Sequence, residues 1–293
     1  MEMGDPGLGF IGTGIMGRPM VEHLLAHQAV TVYNRTPAKT QGLEELGATL
    51  VSTPYEVGQQ ARLIFIMVTD DAALKSVMYG DEGLLAGLTP GSTIVDHSTV
   101  SVDLTRRMAH EVGEIGATWC DAPVTGGDVG ARDATLTIMV GGPKSTFDRI
   151  TPYLERLGRR IVYVGDVGQG QALKVVSNLV SALNLIAAAE GLRLGQEAGL
   201  ALEAMDAVMS HGSAQSFEVS KMVDRFGRQD YKPGFSVANR FKDLGLARDL
   251  ARSLGHSIPL ADQGYALYAE HVAEGHQSLD ESSYILRWAT HED

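Results

Sequence analysis

The run Gly9-Phe-Ile-Gly12-Thr-Gly14-Ile-Met-Gly17 constrains the fold of this chain more than any other stretch. It follows the apolar segment Leu8 to Ile11 and precedes a helical pattern from Met16 to Ala26. Val30 to Tyr33 then reads as a second strand. A strand, a glycine turn and a helix start in that order gather backbone N–H groups at one point, which suits a dinucleotide pyrophosphate. Gly12 permits the tight turn, Gly14 lets the backbone approach the phosphates, and Gly17 lets helix and strand pack closely. Thr13, Ile15 and Met16 belong to the same cofactor-binding turn. The glycine spacing alone is weak; its strand and helix context makes a dinucleotide site the working reading over an ordinary turn.

The end of the second strand bears on which dinucleotide. Position 34, about 20 residues beyond the glycine turn, is where an NAD site places an acid on the ribose 2′-hydroxyl. Here the chain reads Asn34-Arg35-Thr36. Arg35 offers a planar, permanently charged fork and Thr36 a hydroxyl, both suited to the 2′-phosphate of NADP. NADP is therefore expected over NAD. Thr36-Pro37 also reads as a helix N-cap followed by proline at the first helical position, and the two roles are compatible.

At 293 residues the chain has room for two domains, and 44% hydrophobic residues mark it as globular. A net charge of −12 argues against nonspecific nucleic-acid binding through a basic face. No secretion-signal pattern opens the sequence. The low-charge stretch from Gln171 to Ala189 contains Lys174, Ser177, Asn178, Ser181 and Asn184, which make it a poor membrane span. The single cysteine, Cys120, excludes an intrachain disulfide and fits a reducing cytoplasm, where we expect the protein; it reads as a small core residue at a strand end. No His/Cys cluster has the spacing of a structural zinc site, so no metal is expected.

Two halves differ in grammar. Up to residue 165, strands are expected at 7–11, 30–33, 48–51, 63–68, 92–96, 117–121, 135–140 and 160–164. Helical patterns such as Pro54–Gln60, Val102–Val112 and Pro143–Leu157 lie between them. The alternation predicts an α/β fold, a mostly parallel, doubly wound sheet. Residues 166–293 predict an all-helical substrate and dimerisation domain, opened by a long helix from about 170 to 198. With small and apolar residues all round, that helix is expected to be buried, between domains and between subunits, in a homodimer or tetramer.

The chemistry is expected around Lys174, the only charged side chain between Gln171 and Ala189. An ammonium on an otherwise uncharged helix is costly unless it meets a carboxylate, a cofactor or water. Asn178 lies one turn on, on the same face. The competing reading is an idle lysine on a frayed, exposed first turn. Asp121-Ala-Pro-Val-Thr125-Gly126-Gly127-Asp128 leaves a strand end, and its paired glycines allow close approach of a carboxylate; an ordinary turn is the alternative. Met67-Val68-Thr69-Asp70 and Asp96-His97-Ser98-Thr99 also leave strand ends, Asp70 and Ser98 reading equally as local caps. His97 reads as a packing residue, and Lys242-Asp243 by itself as a surface pair.

Taken together, these segments resemble the β-hydroxyacid dehydrogenase family along nearly the whole chain. The resemblance rests on Gly9 to Met20, on Asp121 to Ala131, on Gly168-Gln-Gly-Gln-Ala-Leu-Lys174-Val-Val-Ser-Asn178, on Tyr231 to Phe235 and on Lys242 to Ala247. It implies Lys174 as the catalytic lysine, Asn178 as its companion, and Thr125, Gly126 and Gly127 as a substrate carboxylate loop. It also implies Thr99 and Lys242 at the nicotinamide end of the cofactor, with Met67, Val68 and Thr69 along its edge. Thr125 stands where the family usually has serine, Phe241 where a smaller or polar residue is common, and Thr13 where leucine is frequent. The implied activity is reversible, NADPH-dependent reduction of a small carboxylated semialdehyde, such as tartronate semialdehyde, with lysine as general acid. The rivals are a 3-hydroxyisobutyrate dehydrogenase, an imine reductase, in which the lysine position is typically replaced, and an NADP-binding module without catalysis.

Overall fold

The computed structural model describes residues 7–288. Nine strands form one sheet: β1 (Leu8–Ile11), β2 (Val30–Tyr33), β3 (Ala48–Leu50), β4 (Leu63–Ile66), β5 (Thr93–Asp96), β6 (Thr118–Asp121), β7 (Val124–Thr125), β8 (Leu136–Gly141) and β9 (Gly158–Gly165). Their spatial order is β3-β2-β1-β4-β5-β6-β8-β7, with β9 also on β8. The first six are all parallel, and the order 3-2-1-4-5-6 is that of a dinucleotide-binding sheet. β8 runs antiparallel to β6 and β7 and parallel to β9.

Helices α1 (Gly17–Leu25), α2 (Pro54–Gln60), α3 (Asp71–Met78), α4 (Leu84–Gly87), α5 (Val102–Glu114), α6 (Gly127–Arg132) and α7 (Lys144–Leu154) connect the strands. Their starts follow from local chemistry. Thr53 and Glu56 form a reciprocal capping box at α2, and Asp70 and Ser101 accept backbone N–H groups at the starts of α3 and α5. The central strands β1, β4 and β5 are buried along their whole length, as expected where helices cover both sheet faces.

Some boundaries differ from the sequence reading for identifiable reasons. The apolar run 63–68 leaves the ladder after Met67, because the Val68 N–H is taken by the Ser98 hydroxyl. β7 is only two residues long, too short to register as an alternating pattern. Thr36 does precede a helical turn, but Pro37–Thr40 is a single 3-10 turn and the Thr36 side chain makes no capping bond. Instead the Thr40 hydroxyl donates to the Pro37 carbonyl.

The long helix α8 spans Gln169–Glu197. The chain divides into two compact units after Lys174, within this helix. By length and composition α8 is apolar enough to cross a membrane. Its burial pattern is that of a core helix: Gln171, Lys174, Asn178, Ala182, Leu185, Ala189 and Leu192 form one stripe at intervals of three and four. The second unit continues with α9 (Leu202–Met209), α10 (Phe217–Arg228), α11 (Val237–Ser253) and α12 (Pro259–His271), then a π-type turn, Val272–His276, and a 3-10 segment, Glu281–Trp288. Its core includes Ala182, Leu185, Leu192, Met222, Leu244, Tyr268 and Tyr284.

One polar knot sits in that core. Arg240 is 3% exposed and donates to Glu281, to the Asn178 carbonyl at 3.0 Å and to the Ser181 hydroxyl at 2.9 Å. Glu281 also receives Lys221. A buried guanidinium left unpaired would be strongly destabilising, so these contacts fix α11 against α8 and the C-terminal segment.

Candidate active site

Within the first unit, the ends of β1, β2, β4 and β5 bring Gly12–Gly17, Asn34–Thr36, Met67–Thr69 and Thr99 to one edge of the sheet. β1 is flanked by β2 on one side and β4 on the other, the reversal point at which open α/β sheets bind ligands. Gly12 has φ +99, and a Cβ there would lie 2.2 Å from the Met67 carbonyl oxygen. A Cβ on Gly17 would lie 1.9 Å from the Gly12 carbonyl oxygen, whereas one on Gly14 would meet no atom within 4 Å. The turn is thus closed on its sheet side and open at Gly14, a cradle that fits a pyrophosphate.

Asn34 organises the neighbouring loop. Its Oδ1 accepts the Thr13 N–H at 2.9 Å and its Nδ2 donates to the Thr36 carbonyl at 2.8 Å. The Thr13 hydroxyl donates to the Lys39 carbonyl, and Arg18 donates to Gln41. Arg35 and Thr36 are exposed, and Arg35 has no ion-pair partner among the described residues.

Asp96 and Asp121 stand in register at the ends of neighbouring strands. Asp121 Oδ1 accepts the Gly168 N–H at 2.7 Å and Oδ2 accepts that of Gln171 at 2.8 Å. Burial pushes its carboxyl up to about 6 against the pull of these donors. Gln171 in turn donates to the Ser98 carbonyl at 2.7 Å. The first turn of α8 is therefore clamped to the sheet, which excludes a frayed, exposed start. Lys174 follows one turn later and is 7% exposed. Burial drives Asp96 up to about 7, although it accepts the Ser98 N–H. His97 is a packing residue: its ring stacks on Phe65, its Nδ1 donates to the Ala122 carbonyl at 2.7 Å, and burial lowers it to about 4. Cys120 is buried, its thiol pushed up to about 12 by burial.

Thr125 ends β7, Gly126 follows it and Gly127 opens α6, and all three are exposed. Gly126 (φ +130) and Gly127 (φ +63) adopt backbone conformations that side-chain-bearing residues rarely reach.

Within the second unit, Asn178 is 8% exposed and its Nδ2 donates to Asp243 Oδ2 at 2.6 Å. Lys242 pairs with the other Asp243 oxygen at 3.1 Å. Asp243 is only 3% exposed, which corrects the reading of Lys242-Asp243 as a surface pair. Phe241 stacks on Tyr265 at 4.5 Å, and Arg248 covers the same tyrosine. Asp121, Gln171 and Asp243 were not legible as site residues, since each finds its partners far along the sequence.

This sheet, with its open glycine turn, defines a dinucleotide-binding fold, and the similarities that follow make it that of an NAD(P)-dependent oxidoreductase. Residues 7–165 match the NAD-binding domain of 6-phosphogluconate dehydrogenase, and residues 168–288 the NAD-binding domain of NADP-dependent 3-hydroxyisobutyrate dehydrogenase. The chain belongs to the β-hydroxyacid dehydrogenase family. It is 37% identical to 2-hydroxy-3-oxopropionate reductase of Escherichia coli K12, over 95% of each chain. Among solved structures it resembles 3-hydroxyisobutyrate dehydrogenase of Mycobacterium tuberculosis with L-serine (TM-score 0.88, 31% identity, 96% of this chain and 98% of that one). It also resembles Psf3 in complex with NADP+ and 2-OPP (TM-score 0.86, 29% identity, 95% and 98%).

Proposed function

We propose that the enzyme is an NADPH-dependent reductase of a short semialdehyde bearing a carboxylate, of the tartronate type, working reversibly with Lys174 as general acid. The observation that carries this reading is the burial of Lys174 one turn beyond the Asp121–Gln171 clamp, on the same helical stripe as Asn178. A buried ammonium held in a fixed place suits proton donation to a carbonyl oxygen that gains charge.

NADPH, when bound, supplies the hydride. Gly12 to Gly17 would hold its pyrophosphate, Arg35 and Thr36 its 2′-phosphate, and Met67 to Thr69, Thr99 and Lys242 its remaining edge and nicotinamide end. Lys174 holds a proton at Nζ and delivers it to the substrate oxygen as the alkoxide develops. Thr125, Gly126 and Gly127 orient the carboxylate, which sets the carbonyl for reaction. Asn178, turned by Asp243, binds the substrate hydroxyl. A site built to bond a hydroxyl discriminates strongly against a substrate lacking it, which favours tartronate semialdehyde over methylmalonate semialdehyde. The similarity to a 2-hydroxy-3-oxopropionate reductase supports that order.

The test is kcat/KM for both semialdehydes with both nucleotides, in the wild type and in Lys174→Met. The variant should lose roughly 10²–10⁴-fold in kcat with NADPH affinity nearly unchanged. A preference for methylmalonate semialdehyde overturns the substrate, and an active Lys174→Met overturns the mechanism.

A further inference from the structure

The last third of the second unit carries a group of side chains that the reductase chemistry does not use. At the end of α12 and through the π-type turn, His271, Glu274 and His276 converge. His276 Nδ1 lies 3.1 Å from His271 Nδ1, and Glu274 Oε2 lies 3.3 Å from His271 Nδ1 and 3.6 Å from His276 Nδ1. In a regular α-helix residues i, i+3 and i+5 would not share a face. Here the wider turn and the positive φ of Gly275 (+91) swing His276 back over His271.

We propose that His271, Glu274 and His276 form a binding site for a divalent transition-metal ion, with zinc as the best fit. Three atoms so spaced lie on a circle of radius about 1.9 Å, so an ion at zinc–ligand distances of ~2.0–2.1 Å sits less than ~1 Å off their plane, as in a tetrahedron. Two imidazoles and a carboxylate are a donor set that zinc accepts, with the fourth position left to water. His271 is fully buried while Glu274 and His276 are partly exposed, so the cluster is reachable from solvent on the side of those two residues.

The outer contacts match this use. His271 Nε2 lies 3.0 Å from the Ser283 hydroxyl. With Nε2–H donating there, the His271 Nδ1 lone pair is directed into the cluster, the second-partner arrangement typical of metal-bound histidine. Glu274 keeps Oε2 for the site because its Oε1 is held by Arg287 at 3.3 Å, and Arg287 is balanced in turn by Glu270 at 2.6 Å. A bound ion would thereby tie the end of α12 to the 3-10 segment that carries Ser283 and Arg287.

The experiment uses the full chain, free of any polyhistidine tag, stripped with chelator and titrated with Zn2+ against a chromophoric competitor. Wild type should bind one zinc per chain, and Co2+ in its place should give the intense visible bands of a four-coordinate site. His276→Ala and Glu274→Gln alter partly exposed positions; each should weaken zinc at least as much as losing an outer partner does, roughly 10–100-fold. Both should keep wild-type circular dichroism and NADPH binding, which separates this site from the reductase reading. Absence of stoichiometric zinc in the wild type, or equal affinity in the variants, overturns the proposal.

Discussion

Asn178 and Asp243, separated by 65 positions, share a buried hydrogen bond of 2.6 Å, and the same carboxylate pairs with Lys242. One acid thus orients two residues to which the reductase reading gives work. Asp243→Ala strands both, and the loss of a charge-assisted bond of about 1.5–3 kcal/mol corresponds to roughly ten- to a hundredfold in kcat/KM. Asp243→Asn retains an acceptor for Asn178 and should recover part of the loss. Steady-state kinetics beside circular dichroism checks this; full activity in the alanine variant would contradict it.

The cofactor assignment rests on Arg35. Arg35→Ala should weaken NADPH by about ten- to a hundredfold, the worth of a charge-assisted phosphate contact, and leave NADH little changed. Fluorescence titration with both nucleotides decides the matter. Equal losses for the two would remove Arg35 from the 2′-phosphate.

Asp96 predicts a pH effect on stability. Burial raises its folded pKa to about 7, above the ordinary carboxylate value, so the fold favours the protonated form. The stabilising contribution is complete below the ordinary range and is lost as pH rises through about 7. Asp96→Asn, which cannot ionise, should melt above wild type at about pH 8, and the gap should shrink toward about pH 5. A gap that does not change with pH would show that Asp96 stays ionised throughout.

Opposite its buried stripe, α8 exposes Val176 (50%), Val180 (53%) and Leu194 (73%). Apolar residues repeated along one exposed face of a core helix call for a partner surface, and a second copy is the proposed one. Wild type should sediment as a dimer or larger at micromolar concentration, and Val180→Asp should shift it toward monomer. A wild type that is monomeric and active would defeat the idea.

The sheet was legible because its signals are local: a glycine turn, apolar runs, and caps such as Thr53 with Glu56. Lys174 stood out as a lone charge on an apolar helix, and Asn178 as its neighbour on one face. What could not be read was contact across distance. Asp121 looked like a strand end until the fold carried Gly168 and Gln171 to it, and Asp243 looked superficial beside Lys242. The cluster of His271 and His276 was hidden for a different reason: regular helical geometry does not bring them together, and only the π-type turn does.

The glycine turn has a consequence for how nucleotide preference can change over descent or by engineering. Gly12 and Gly17 accept no side chain, because the Met67 and Gly12 carbonyls already occupy the space a Cβ would need. The exposed pair Arg35 and Thr36 has no such constraint, while Asn34 is bound on one side to Thr13 and on the other to Thr36. An aspartate at 34 could still accept the Thr13 N–H but would lose the bond to the Thr36 carbonyl. On the proposed NADP reading, a change toward NAD at position 34 would therefore loosen the loop in the same step that changes its charge, which ties cofactor choice to local rigidity and not to the architecture of the sheet.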